Sequence, residues 1–347
     1  MYSLKLSGIY IEITSFCNRN CPYCYNDSTQ KGQSLSKETI FKIFEECHKL
    51  GIMLVSISGG EPFAHSDIYE IISKLDELNM KAVIITNLSL LPIENAVNII
   101  QRGHMLQVTL DHPNKDINDI TRGKDSYDLV IRLMDRLSQQ NLIHNIILRY
   151  NVSKNNYSQI DNIVALAEYY GVRMLDIALL FKSGRGCSYE YVFDYNKDIR
   201  IIASLMKELK AIERKHRETL KCSYTKLNDQ LGCVLFGNDE LSIGPKIEPN
   251  GDVHLCQLFS GEENVLGNIE DLSLQDILSS RKARQVVDRI RQRKCAQNDC
   301  SVCGFTDICM CGCPAVSYHQ TGSLFEKNDQ CSMIKFFLKE RVKQIGT

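Results

Sequence analysis

Along the first two-thirds of the chain, short apolar runs rich in Ile, Val and Leu alternate with longer stretches whose apolar residues recur every three to four positions. The short runs predict strands at 8–14, 52–58, 81–86, 105–110, 143–150 and 173–180. The longer stretches predict helices at 36–50, 67–79, 93–102, 126–140 and 157–170, the first with Ser36 as its N-cap and Gly51 as its stop. Strict alternation favours parallel pairing, because each crossover helix returns the chain to the same end of the sheet. Six such steps within the first 215 residues or so predict an α/β fold, a partial (βα)6 TIM-type barrel left open where eight strands would close. A charged helix at 197–220 reads as a connector, and composition then shifts towards Cys and Gly. The chain thus divides into a barrel over 1–215 and a small cysteine-rich α+β domain over 216–347. No strand–helix turn carries GxGxxG, which argues against a dinucleotide-binding fold.

Composition narrows the function classes. A net charge of −1 over 347 residues leaves no electrostatic footprint for nucleic acid or an acidic membrane surface. No apolar run reaches membrane-spanning length, and no secretory signal opens the chain. Fifteen cysteines without an export signal point to a cytoplasmic protein whose thiols bind metal clusters instead of pairing as disulfides.

Three of those cysteines, Cys17, Cys21 and Cys24 in FCNRNCPYCYN, follow the first strand and so gather in the loop at its carboxyl end. Their spacing lets one loop wrap three thiolates around a cluster face. A four-iron cluster normally takes four cysteines, so a trio leaves one iron for a ligand that is not protein. A zinc site or a redox thiol pair instead prefers CxxC with a second pair elsewhere. The second strand ends in Ser58-Gly59-Gly60-Glu61-Pro62 at the same rim, where parallel barrels place their active sites. Two glycines permit close backbone approach to a ligand, and their carbonyls with Glu61 can receive an ammonium group.

CxxxCxxC with Tyr23 before its last cysteine, followed one strand later by GGEP, resembles the radical S-adenosylmethionine (SAM) enzymes. The resemblance implies that Cys17, Cys21 and Cys24 hold a [4Fe-4S] cluster whose open iron is chelated by SAM. It also assigns Tyr23, Gly59, Gly60, Glu61 and Pro62 to the SAM site, the GGEP segment holding the amino group. Val108-Thr109-Leu110-Asp111 with Arg122-Gly123 is similar to the S/T-x-D…RG pattern of the family, in which Thr109 and Arg122 would grip the SAM carboxylate. Asn151 resembles the polar position that contacts the ribose. Thr86-Asn87-Leu88 departs from the usual Thr-Asn-Gly; Leu adopts a left-handed turn less readily, so a different local loop is expected there.

The last third of the chain holds a second cysteine constellation. Cys300-x2-Cys303-x5-Cys309-x3-Cys313 is followed by Cys331, with Cys233 and Gly251-x4-Cys256 upstream. Asn250-Gly251 reads as the turn of a hairpin that delivers Cys256 at the end of its return strand. The whole resembles the seven-cysteine SPASM domain, which carries two auxiliary four-iron clusters. Carried over by position, Cys300, Cys303, Cys309 and Cys331 bind one cluster, and Cys233, Cys256 and Cys313 bind the other. Cys222 is the upstream cysteine placed to complete the second set, while Cys295 and Cys311 fall outside the pattern as spare or substitute ligands. The implied cofactors are SAM and three [4Fe-4S] clusters.

In this family reduction of bound SAM yields a 5′-deoxyadenosyl radical that abstracts hydrogen from an unactivated carbon. The favoured reading is a maturase of a ribosomally made peptide, forming a crosslink, a thioether or a related oxidation. The sulfatase-maturing branch has an Asp immediately after the GxxxxC cysteine as its base; here that position is Gln257, an amide that accepts no proton at neutral pH. A small-molecule or tetrapyrrole dehydrogenase is a third reading. An iron–sulfur electron-transfer protein, from another class, would need the cysteines but not Gly59-Gly60-Glu61-Pro62. The implied partners are a peptide or protein substrate and a flavodoxin or ferredoxin-type reductant. Because the chain enters its first strand almost at once, a leader peptide is expected to dock directly or through a separate leader-binding protein. No catalytic acid or base is assigned.

Overall fold

The computed structural model describes residues 3–224, 240–296, 298–305, 309, 312–327 and 329–345. A short strand β1 (Ser3–Leu6) precedes β2 (Tyr10–Thr14), α1 (Lys37–Lys49), β3 (Leu54–Gly59), α2 (Ile68–Glu77), β4 (Lys81–Ile85), α3 (Ile93–Gln101) and β5 (Met105–Thr109). Two helices, α4 (Lys115–Arg122) and α5 (Ser126–Gln139), lead to β6 (Ile146–Val152), α6 (Ile160–Tyr170), β7 (Met174–Leu179), α7 (Ile199–His216) and β8 (Lys221–Tyr224). The remainder comprises β9 (Glu240–Ile243), β10 (Lys246–Ile247), β11 (Asp252–His254) and β12 (Gly267–Asn268), then α8 (Leu274–Ser279), α9 (Arg281–Ala296), α10 (Asn298–Ser301), α11 (Pro314–Thr321) and α12 (Cys331–Ile345).

One sheet of ten strands, ordered β12-β11-β10-β2-β3-β4-β5-β6-β7-β8, runs through both halves of the chain. Strands β2 to β8 pair in parallel, the arrangement of a partial barrel, and β10 adds to the free side of β2 with Lys246 opposite Tyr10. The parallel run therefore continues past residue 215 into β8, and the β10–β11 hairpin extends the same sheet at its other edge. Ser36 caps α1 by accepting from Thr39 N, and Gly51 follows at φ +75°, as the sequence predicts.

Alternation along the strands separates two chemistries. Ile9, Ile11, Ile13, Val55, Ile57, Leu106, Val108, Leu148 and Leu175 are buried with Ile40, Ile43, Phe44, Ile71 and Leu75 of the helices. The opposite face carries Tyr10, Glu12, Ser58, Gln107, Thr109, Arg149, Asn151 and Asp176. These polar groups meet across strands: Tyr10 Oη donates to Ser58 Oγ at 2.7 Å, and Arg149 bridges Asn151 Oδ1 (3.1 Å) and Asp176. An apolar outer layer thus holds the helices, while the inner face is furnished to meet polar ligands. Among the described residues no helix is long and apolar enough to cross a membrane.

Candidate active site

The cysteine loop is held to the rim by bonds from distant segments. Cys17 N–H donates to Thr29 O (2.8 Å), and Arg19 N–H donates to Cys17 Sγ at 3.4 Å. Arg185, in the turn after β7, donates from Nε to Cys21 O (2.9 Å) and from Nη1 to Asp27 Oδ1 and Ser28 O, both at 2.9 Å. Cys17, Cys21 and Cys24 are free thiols. Burial pushes the Cys17 and Cys21 thiols up, and charge on the neighbouring cysteines pushes the same way. Three gathered thiols, of which Cys17 and Cys21 resist ionising alone, suit a cationic iron centre that supplies positive charge.

The glycines of the second motif serve a packing role as well. Gly59 sits at φ +126°, and a Cβ on it would stand 2.1 Å from Thr14 O; one on Gly60 would stand 2.0 Å from Phe16 O. Backbone of the β2–cysteine-loop junction occupies that space, so glycine is required here by the protein before any ligand arrives. Glu61 is fully buried and already accepts from Phe63 N (3.1 Å), Thr86 Oγ1 (2.7 Å) and Asn87 N (2.7 Å). A carboxylate offers about four lone-pair sites, which leaves one for a ligand ammonium beside the Gly carbonyls. Pro62 opens a short 3₁₀ turn directly behind. The loop after β4 keeps its left-handed turn despite the leucine, correcting the expectation of a different one: Leu88 adopts φ +64° and donates to Thr86 Oγ1 at 3.0 Å.

Four side chains from four elements meet beside Cys21. Tyr23 Oη donates to Asp111 Oδ2, and Arg122 Nη1 donates to Tyr23 Oη at 3.1 Å while its Nε stands 3.9 Å from Asp111 Oδ2. Asn151 Nδ2 donates to Asp111 Oδ1 at 3.2 Å. Burial pushes the Asp111 carboxyl up and the Arg122 guanidinium pulls it down. Tyr23, Arg122 and Asn151, each read from sequence as a SAM-site residue, converge here on one carboxylate, Asp111, which the sequence quoted in its motif but gave no role. Thr109 shares the inner face of β5, paired in register with Arg149.

In the C-terminal half Cys256 and Cys313 lie close enough for charge on Cys313 to add to the burial that pushes Cys256 up to about 11. Cys331 is likewise pushed up by burial and by charge on Cys300 and Cys303, which places these three together. Cys309 is half-buried and in no disulfide; Cys233 and Cys311 lie outside the described residues. Cys222 is elsewhere. It pairs in register with Leu175 on the far edge of the sheet, buried near Glu213 and Glu168 of the helix layer, and the structure does not bring it to Cys256 and Cys313. Arg293, which sequence reasoning missed, is fully buried beneath the cysteine loop and donates to Gly312 O (3.1 Å), Glu326 O (3.2 Å), Leu324 O and Ser317 Oγ.

A cleft of about 330 Å³ joins the two halves, with Tyr25, Asn26 and Gly59 on the barrel side and Lys246, Glu248 and Gln257 on the other. Gln257 therefore lines the same cleft as Gly59 of the second motif.

Residues 11–167 match the model of the radical SAM superfamily, and residues 242–304 match that of the iron–sulfur cluster-binding SPASM domain. Mycofactocin maturase MftC of Mycolicibacterium smegmatis is 28% identical over 88% of this chain and 78% of its own length. An AdoMet-dependent heme synthase of Methanosarcina barkeri is 24% identical over 92% of this chain and 94% of its own. Among solved structures, anSMEcpe with bound AdoMet and Cp18Cys peptide superposes with a TM-score of 0.72 at 17% identity, covering 99% and 97% of the two chains. Streptococcus suis SuiB bound to S-adenosylmethionine gives 0.72 at 18% identity, covering 93% and 76%. Those two likenesses show the partial-barrel fold. Residues 11–167 thus form a radical SAM domain and residues 242–304 an iron–sulfur cluster-binding SPASM domain, domains whose cofactors are SAM and iron–sulfur clusters.

Proposed function

We propose that this enzyme cleaves SAM reductively at a cluster held by Cys17, Cys21 and Cys24 and modifies a ribosomally made peptide by a crosslink, thioether or related oxidation. The observation that carries the reading is the cleft that brings Gly59 of the second motif and Gln257, the residue after Cys256, to one space able to take a peptide side chain. When bound and reduced, SAM supplies a radical that takes hydrogen from an unactivated carbon. The chain's own residues orient and enclose: Gly59, Gly60, Glu61 and Pro62 receive the amino group, and Tyr23, Thr109, Arg122 and Asn151 hold the rest of SAM. The barrel does this chemistry, and the segment beyond it carries two auxiliary clusters, one on Cys300, Cys303, Cys309 and Cys331 and one including Cys233, Cys256 and Cys313. That makes three four-iron clusters in all. A flavodoxin or ferredoxin-type protein supplies the electron, and the leader of the peptide docks directly or through a separate partner. The MftC likeness supports a peptide substrate, as does the fold shared with SuiB, which has been solved bound to its precursor peptide SuiA.

A second reading, a tetrapyrrole side-chain enzyme, is favoured by the near full-length match to the AdoMet-dependent heme synthase. The deciding experiment incubates anaerobically reconstituted enzyme with SAM, dithionite and either a short peptide encoded beside its gene or a porphyrin carboxylate. A mass change in the peptide matched to 5′-deoxyadenosine release is expected. An unaltered peptide with an oxidised porphyrin contradicts the reading.

A further inference from the structure

We propose that Glu12 is the group in the cleft that selects the substrate side chain, by accepting a hydrogen bond from an O–H or N–H at its tip. The inference rests on the peptide-modifying reading and adds the chemistry of the residue admitted.

Glu12 comes from the inner face of β2 and lines the cleft with Lys246, Glu248 and Gln257. It is 6% exposed. One carboxylate oxygen, Oε1, accepts from Asn26 Nδ2 at 2.8 Å, and no donor to Oε2 is found among the described residues. Oε2 is not among the wholly buried polar atoms that lack a partner, so it keeps contact with the cleft and can accept from a ligand there. The nearest cation, Lys246, is already engaged: its Nζ stands 2.7 Å from Glu248 Oε1, and β10 runs parallel to β2 so that Glu248 sits level with Glu12. Lys246 and His254 both stand against Glu248 Oε1, at 2.7 and 3.3 Å, so these groups are committed to Glu248 and not to Glu12. His319, across the cleft, bonds Leu258 O through Nε2 at 2.8 Å, and burial holds its pKa down, so it adds no cation.

The other groups facing Glu12 are Tyr10 on its own strand and Tyr25 on the cysteine loop, whose hydroxyls are 2.9 Å apart. Neither phenol is an available anion, since burial pushes both up, Tyr10 to about 12. Burial likewise pushes Glu12 above the usual carboxylate range, against the pull of Lys246 and of the Asn26 bond and with the push of Glu248. A donor held by the ionised carboxylate therefore binds best above that raised value and weakens as the pH falls through it. A volume of about 330 Å³ admits one large side chain.

The test uses the reconstituted, SAM-bound enzyme and matched amide probes followed by ligand-observed NMR. N-acetyl-tyrosinamide is compared with N-acetyl-phenylalaninamide, and N-acetyl-lysinamide with N-acetyl-norleucinamide. At least one donor probe is expected to bind about tenfold or more tightly than its donorless match, as a hydrogen bond to a charged group warrants. The preference should vanish in Glu12→Gln, which keeps the side-chain volume, and shrink at acid pH in the parent. Equal affinity within both pairs, no detectable binding of either donor probe, or a preference that survives Glu12→Gln at unchanged iron content overturns the proposal. Glu12→Asp, which keeps the charge but withdraws it, should retain part of the preference. The probes read binding alone, so set beside the peptide assay above, probe discrimination with an unaltered peptide would sink the maturase reading and leave the site. Modification of donor and donorless peptides alike would sink the site alone.

Discussion

Leu88 shows how one residue can break a local rule and survive. Its left-handed backbone costs about 1–3 kcal/mol, yet its side chain is 1% exposed within the core and its N–H is taken by Thr86 Oγ1. Removing a buried leucine costs about 2–5 kcal/mol, so Leu88→Gly should lose more in packing than it gains in backbone ease. A lower thermal midpoint is expected, and a higher one would mean that strain dominates there. The sequence showed that Leu88 was unusual but not which effect wins, because the winning effect lies in contacts. The same limit hid Glu12 and Arg293, and left Asp111, quoted only as the aspartate of a motif, without a role. Each is an ordinary polar residue in its own segment and acquires meaning from partners far along the chain: Tyr23 for Asp111, the cleft for Glu12, and the loop carbonyls for Arg293. Cysteines were legible because few other side chains serve a cluster and their spacing is short.

At the scale of elements, the parallel strands could be read because their outward faces are nearly pure Ile, Val and Leu. Helix α4 could not. Its two isoleucines, Ile117 and Ile120, are 40% and 81% exposed, whereas Asn118 and Thr121 are its buried residues, which inverts the pattern that periodicity detects. Polarity inside has a purpose: Asn118 Oδ1 accepts from Asp111 N at 2.9 Å and so fixes the end of β5, while Arg122 at the last turn meets Tyr23. The turn after β7 works similarly on the cysteine loop through Arg185. Its three donated bonds hold the loop at Cys21, Asp27 and Ser28. Arg185→Ala should therefore loosen the site of the Cys17, Cys21 and Cys24 cluster while sparing the distant C-terminal thiols. Iron analysis after a desalting step should show a loss of up to about four irons per chain. Undiminished iron would show that the clamp is dispensable.

The whole molecule is built on one sheet that both halves share. A division at residue 215 follows from the composition change, but strand pairing ignores composition: β8 lies beyond that point and still extends the barrel, and β10 joins its opposite edge at Tyr10 and Ile11. Lys246, Glu248 and Gln257 thereby come to face Glu12 and Gly59 across one cleft, a juxtaposition that no sequence motif records. Each half carries its own set of thiols, Cys17, Cys21 and Cys24 in one and Cys256, Cys300, Cys303, Cys313 and Cys331 in the other. The sets are separable, and this gives the most direct test of the central claim. Cys17, Cys21 and Cys24 are changed together to Ala, and iron and 5′-deoxyadenosine are measured beside the parent under dithionite. The account predicts a fall from about twelve to about eight irons per chain, with release of 5′-deoxyadenosine abolished. Continued release of 5′-deoxyadenosine by the triple variant would contradict it.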